Sequence, residues 1–269
     1  MTAGLFDLRG KVAVVSGAAS GMGRASALAL AAHGATVVML DRDVEGMART
    51  GAAIAAAGGE AHAREHDVSS VAAAEALFAW IDAGPGRVDF LANIAGEGTL
   101  GDPRTIPAGE IRRVLENLVV GRFALCQEAG KRMLAAGRGS IVNTGSLASV
   151  TGLGRGHIAY SMAMGAVVQM TRELSTEWAG GGVRVNAILP AQVMNPSLEK
   201  RIAADPRMER KWLSGIPAGR LGRPEDIQGL VVFLASDSSS WITGALIPMD
   251  GGNLAMNAGG SRGFADPLS

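Results

Sequence analysis

Two constellations near the start of the chain have the residue types and spacing for dinucleotide chemistry. Ser16-Gly17-Ala-Ala-Ser20-Gly21-Met22-Gly23 directly follows the apolar run Val12–Val15 and opens an alanine-rich helical stretch. Glycines at 17, 21 and 23 permit a tight turn, close approach of backbone to a pyrophosphate, and close packing of the following helix. The helix N-terminus then offers unpaired N–H groups and the positive end of its dipole to phosphate. Asp41 closes the next strand, where a carboxylate can accept hydrogen bonds from both hydroxyls of an adenosine ribose and repel a 2′-phosphate. These features favour NAD over NADP. Arg42 pulls the other way, since a guanidinium can hold that phosphate. A helix N-cap or turn role for Asp41 also stays open.

Composition narrows the function classes. The chain has 269 residues, 48% of them hydrophobic, which suits one large core. Lys+Arg 25 balances Asp+Glu 25, so charge gives no reason to expect nucleic acid or an anionic membrane as partner. The single cysteine, Cys126, has no internal disulfide partner, and its setting Phe123-Ala-Leu-Cys126 reads as a buried apolar thiol. No metal site is expected. No basic-then-apolar leader opens the sequence, and no apolar run of about 18 residues suggests a membrane span. A cytoplasmic location is the expectation.

The elements that must position the glycine turn alternate along the chain. Strands are expected at Val12–Val15, Val37–Leu40, Ala61–His66, Val88–Leu91, Ser140–Asn143, Val183–Leu189 and Ala245–Met249. Helices are expected at Ala25–Ala32, Val44–Ala57, Val71–Ile81, Ala108–Ala136 and Tyr160–Ala179. This alternation predicts a single α/β domain over 1–269: a doubly wound Rossmann fold, with a mostly parallel seven-stranded sheet and helices on both faces. Near-continuous apolar strands fit a sheet buried on both sides. Residues 194–215 interrupt the alternation and read as an excursion over the sheet edge, placed to cover a substrate. The tail 253–269 reads as irregular.

On these motifs the chain resembles the short-chain dehydrogenase/reductase family over residues 8–253. The glycine motif matches Gly17, Gly21 and Gly23. An adenine-contacting pair matches Asp67-Val68, and the strand-four motif matches Asn93-Ile94-Ala95-Gly96, with Ile94 for the usual second asparagine. Asn117, Ser146 and Tyr160 match the family's helix asparagine, serine and tyrosine. Asn186–Pro190, Gly219–Glu225, Phe233–Asp237, Ile242–Gly244 and Asp250–Gly252 look like further signatures. The resemblance implies hydride transfer between nicotinamide and a secondary alcohol or its ketone. Tyr160 would pass the substrate proton, Ser146 would hydrogen-bond the substrate oxygen, and Asn117 would position a relay water. The implied cofactor contacts are Gly17, Ser20, Gly21, Met22, Gly23, Asp41, Arg42, Asp67, Val68, Asn93, Ala95, Gly96, Tyr160, Pro190, Val193 and Asn195. Substrate contacts are expected from Ser146, Arg155, His157 and Gln192. Polar residues around the site lean toward a polyol or sugar derivative, while Leu198, Ile202, Met208 and Trp212 could close an apolar lid. The family's habit of tetramer formation through its two long helices implies a homotetramer.

The sequence departs from the family at one catalytic position. Met164 stands one helical turn after Tyr160, where the resemblance implies a lysine that steadies the nicotinamide ribose and favours the phenolate. Methionine has neither charge nor an N–H donor. A free tyrosine titrates near pH ~10, so on the order of one molecule in a thousand is phenolate at pH 7. Alcohol oxidation near neutrality is therefore expected to be impaired, or its proton relay atypical. Lys200 or Lys211 could supply the charge, or both could be solvated. The alternatives are an NAD-binding pseudoenzyme or sensor with little turnover, an engineered inactive variant of an ordinary dehydrogenase, or non-redox chemistry on an oxidised intermediate. Smaller openings remain. The stretch from Ser146 to Tyr160 is one residue longer than is usual, so Ser149 is the alternative serine. Asn117 could be a helix-kink residue, and Arg155 and His157 could simply face water.

Overall fold

The computed structural model describes residues 4–256. Its seven strands are β1 (Val12–Ser16), β2 (Thr36–Asp41), β3 (Ala61–Glu65), β4 (Phe90–Asn93), β5 (Gly139–Thr144), β6 (Val183–Pro190) and β7 (Leu246–Met249). They form one parallel sheet in the order β3-β2-β1-β4-β5-β6-β7. The order reverses between β1 and β4, which opens a crevice at the carboxyl ends of those two strands, the place where such sheets bind ligands.

The strands are apolar without alternation because both faces are covered. Side chains one apart enter opposite cores. Ala13, Val15, Val37, Met39, Phe90 and Ala92 pack with α1 (Gly21–Ala32) and with Ile54 of α2 (Val44–Ala56). Val12, Val14, Val38, Leu40 and Leu91 pack with α3 (Ala73–Ala83) on the other side. The expected long helix over 108–136 is α4 (Ala108–Leu115), a π-helical turn at Glu116–Val120, and α5 (Gly121–Ala135). Next comes α6 (Ile158–Trp178).

Residues 194–215 carry two helices, α7 (Pro196–Ala204) and α8 (Pro206–Leu213). Asn195 and Asp205 are their N-caps, each followed by proline at the first helical position. Leu198, Trp212, Ile216 and Leu221 form a small core of their own beneath them. A helix that the sequence pattern left unassigned, α9 (Gln228–Ala235), packs against α1. No helix among the described residues is long and apolar enough to cross a membrane. Of the tail 253–269, only 253–256 lies within the described residues, as a turn.

Candidate active site

The turn joining β1 to α1 is held against β2 by backbone. Gly17 N–H donates to Leu40 O at 2.8 Å. The Asp41 carboxylate accepts from Ala19 N–H and from Asp43 N–H, each at 3.1 Å. The helix-capping role left open for Asp41 belongs to Asp43, whose Oδ1 accepts from Gly46 N–H at 2.8 Å. A Cβ on Gly23 would stand 1.9 Å from Gly17 O, so the turn and α1 touch backbone to backbone. Gly21 is different: its φ is +51° and nothing lies within 4 Å of where its Cβ would be. That open face, with the first-turn amides of α1 lacking intrahelical acceptors, could hold a phosphate. Ser20, the N-cap, makes no side-chain cap bond that would close it.

The cleft beside the turn has a volume of about 310 Å³. Gly17, Ser20, Gly21, Met22, Gly23, Asp41, Arg42, Asp67, Val68, Ala95, Gly96, Asn117 and Asn195 all line it, as do His66 and Glu97. Arg42 is engaged by two carboxylates. Its Nη2 meets Glu97 Oε1 at 2.9 Å and its Nη1 lies 3.8 Å from Asp67 Oδ2. The Ser69 hydroxyl and N–H, followed by the Arg42 charge, hold the Asp67 carboxyl below the usual carboxylate range. Burial lowers the His66 imidazole and keeps it neutral at pH 7.

Asn93 departs from its expected place. It is wholly buried at the end of β4 and does not line the cleft. Its Nδ2 donates to Asn143 Oδ1 at 3.0 Å and reaches the Cys126 sulfur at 3.2 Å. Asn143 in turn donates to Thr171 at 3.1 Å. This network ties β4, β5, α5 and α6 together behind the site. Burial pushes the Cys126 thiol up to about 12, so it stays protonated and unreactive at pH 7.

A second cavity, about 420 Å³, adjoins the cleft, and Asn195 lines both. Tyr160, Ser146, Arg155, His157, Gln192, Pro190 and Val193 line it, with Leu198 and Trp212 supplied by α7 and α8. Asn195 is engaged by its capping role: Oδ1 accepts from Leu198 N–H at 3.0 Å and Nδ2 donates to Val193 O at 3.1 Å. One N–H of Nδ2 and one lone pair of Oδ1 remain for the cofactor contact expected of it. Ser146 Oγ accepts from Ala148 N–H at 3.2 Å, which leaves its own proton to donate. Ser149 is turned away from this task, because its Oγ accepts from Ser146 N–H and does not line the cavity. The extra residue between Ser146 and Tyr160 falls in a loop where Gly154, Arg155 and Gly156 all have positive φ. Arg155 is the only non-glycine among the described residues to do so. A left-handed conformation costs an L-residue roughly 1–2 kcal/mol.

Asn117 sits in the π-helical turn. Its Oδ1 accepts from Glu97 N–H at 2.8 Å, which fixes the amide and leaves Nδ2 without a partner among the described residues. Met164 is 1% exposed and packs with Val114, Leu118 and Val167, lining neither cavity. Lys200 and Lys211 are exposed on α7 and α8 and do not line the cavity. Lys11 pairs with Asp237 and Lys131 with Glu128. Arg201 and Arg122 went unremarked in the sequence. Arg201 lines the cavity and stacks over Trp212 at 5.6 Å. Arg122 is buried among backbone carbonyls beside Gly96.

Known proteins share this architecture. A family model described as Enoyl-(Acyl carrier protein) reductase matches residues 17–253. The D-threitol dehydrogenase of Mycolicibacterium smegmatis is 39% identical over 248 residues, 92% of this chain and 94% of that protein. The NAD-dependent glycerol dehydrogenase of Listeria innocua is 38% identical over 252 residues, covering 92% and 95%. A crystal structure of gluconate 5-dehydrogenase from Burkholderia cenocepacia, in complex with NADP and tartrate, superposes with a TM-score of 0.89. It is 27% identical and covers 94% of this chain and 98% of that one.

Proposed function

The chain belongs to the short-chain dehydrogenase/reductase family of oxidoreductases, and on that premise we propose that it transfers hydride between NAD(H) and a secondary alcohol or its ketone in a polyol or sugar derivative. One observation carries the reading: the cleft beside the glycine turn and the cavity holding Tyr160 and Ser146 are neighbours that share Asn195 in their walls. Bound nicotinamide gives or takes the hydride. The residues around it do the rest. Ser146 donates to the substrate oxygen, Tyr160 exchanges the proton on that oxygen, and Asn117 Nδ2 holds the water that refills the phenol. Gln192 Oε1 is buried with no partner among the described residues, so it suits a hydroxyl or carboxamide donor. Arg155, His157 and Arg201 line the cavity and no Asp or Glu does. Sugar acids therefore fit it better than neutral polyols of the same size.

The carboxylates of Asp41, Asp67 and Glu97 around the single Arg42 favour NAD, because a 2′-phosphate placed there meets like charge. Absorbance at the NADH band with polyols and aldonic acids tests both points. We expect NAD to exceed NADP in kcat/KM by about tenfold or more, a difference of about 1.4 kcal/mol, and Asp41→Ser to erase that margin. No nucleotide reduction with any member of the panel, or a preference for NADP, would overturn the proposal.

The proposed homotetramer draws on outward apolar side chains that the chain's own sheet leaves uncovered. Phe123 on α5 and Met162 on α6 are 40% and 47% exposed. Sedimentation velocity is expected to give a four-chain mass, and a monomer at micromolar concentration would contradict it.

A further inference from the structure

At the edge of the sheet opposite the active site, the amino ends of β1, β4, β5 and β6 surround a cavity of about 820 Å³, against 420 Å³ for the one holding Tyr160. Five cations line it: Arg9, Lys11, Arg87, Arg138 and Arg184. Only two carboxylates do, Asp89 and Asp237. It shares no lining residue with the cofactor cleft or the substrate cavity.

Part of this charge has a structural reason. Lys11 Nζ donates to Ala235 O at 3.3 Å, and Arg184 Nη2 donates to Leu234 O at 2.9 Å and Ser236 O at 3.4 Å. Both satisfy carbonyls at the C-terminal end of α9, where the helix dipole favours a cation. Lys11 also meets Asp237 Oδ1 at 2.7 Å. That hydrogen bond, with the charges of Lys11, Arg184 and Arg138 behind it, holds the Asp237 carboxyl below the usual carboxylate range. The remaining charge has no such reason. Arg87 and Arg138 both turn to Asp89 Oδ1, Arg138 from 3.7 Å, while Asp89 Oδ2 accepts from Val12 N–H at 2.9 Å. One carboxylate cannot balance two guanidinium groups. The Arg138 side chain is 66% exposed and makes no hydrogen bond among the described residues. Arg9 pairs with Asp7, which lies outside the cavity wall.

Trp241 stands in the same wall, on the turn between α9 and β7, and is 99% exposed. Its indole makes no ring contact and its N–H meets no acceptor among the described residues. A flat apolar face beside arginines suits a ligand that carries both a ring and phosphates: the ring stacks on the indole and the guanidinium groups take the phosphate oxygens. We propose that this amino-edge cavity binds a nucleoside polyphosphate, with its phosphates against Arg138, Arg87 and Arg9 and its base on Trp241. The volume suits a ligand of that size. Its phosphates supply the negative charge that Asp89 and Asp237 leave short. Lys11 and Arg184, already bonded to α9, add attraction at longer range. No group of the hydride-transfer machinery takes part, so the site stands or falls apart from it.

Calorimetric titration of the full chain with ATP and with tripolyphosphate tests this. We expect ATP to bind with a Kd below about 1 mM at low salt. The affinity should fall by about threefold or more between ~50 and ~200 mM salt, because the cavity is open to water. Arg138→Glu should weaken ATP by about tenfold or more while NADH affinity stays within about twofold. Trp241→Ala should weaken ATP by about fivefold or more and tripolyphosphate by less than about twofold. Should Arg138→Glu fail to fold, Arg138→Gln and Arg9→Gln remove exposed cations without adding a repulsive group, and each should weaken ATP by about threefold. No ATP binding below ~10 mM would overturn the proposal. So would unchanged ATP affinity in the Arg138 variants, which would put the nucleotide in the dinucleotide cleft. Equal losses for ATP and tripolyphosphate in Trp241→Ala would remove the base platform and overturn it too. A lower sedimentation mass with ATP affinity kept in Trp241→Ala would do the same, making this edge a contact between copies of the chain.

Discussion

Tyr160→Phe is expected to lower kcat for alcohol oxidation by about 10³-fold while NADH binds within about threefold of its original affinity. The substitution removes one oxygen from the wall of the 420 Å³ cavity and leaves the ring where Gly98 lies against it. The ring's packing with Val114 and Leu118 does not depend on the hydroxyl, so the fold should persist. Positioned acid–base groups contribute about 10²–10⁴-fold, and here the phenol has no substitute. Ser146 shares the cavity, but its hydroxyl is assigned to donating to the substrate oxygen while it accepts from Ala148 N–H. His157 is 6.3 Å from the ring and turned edge-on. Steady-state kinetics with NADH fluorescence titration separates the two effects. A loss smaller than tenfold would put the proton transfer on another group.

Gly23→Ala should be the most damaging single methyl group within the glycine turn Gly17–Gly23. Its Cβ would lie 1.9 Å from Gly17 O and 2.4 Å from Gly17 C, both backbone atoms that cannot rotate aside. The turn must separate from α1, at a cost of about 3 kcal/mol. Felt entirely in cofactor binding, that is on the order of a 100-fold loss of NADH affinity. Gly21→Ala is the contrast. It strains a left-handed residue and projects into open space, so thermal stability should fall little while NADH binding suffers. Calorimetric titration and melting temperatures of the pair check this. Equal nucleotide affinity in Gly23→Ala and the unaltered protein would show that the phosphates lie elsewhere.

Much of this architecture is legible in the residue order, because strands and helices differ in length and period. Val12–Val15 and Val37–Leu40 are short and β-branched, and the turn between them carries glycines that no strand or helix would want. Other features are hidden for physical reasons. The π-helical turn at Glu116–Val120 adds one residue to a helical stretch and barely disturbs its apolar period, so Asn117 can be placed on the helix but its bond to Glu97 N–H cannot be foreseen. α9 is eight residues of nearly unbroken apolar character, ambiguous between strand and helix. α7 and α8 carried a usable signal in Asn195-Pro196 and Asp205-Pro206, which pair an N-cap with proline at the first helical position.

Within the site, most expected residues line one of the two cavities, while Asn93 is drawn into the core by its bonds to Asn143 and Cys126. Arg122 stands inside the otherwise apolar run Gly121–Cys126, and its burial among the carbonyls of Ile94, Ala95 and Thr144 depends on contacts distant in sequence that the local pattern does not carry.

The lobe formed by α7 and α8 has consequences for how this protein could diversify. It caps its own helix ends and keeps its own apolar centre in Leu198, Trp212, Ile216 and Leu221, while Ser146 and Tyr160 stand on β5's end and α6. On the proposed reading, what the lobe selects and how the proton moves are thus written in separate stretches of chain. A lineage could exchange the lobe as a cassette, inheriting an intact hydride-transfer centre each time it acquired a new taste in alcohols.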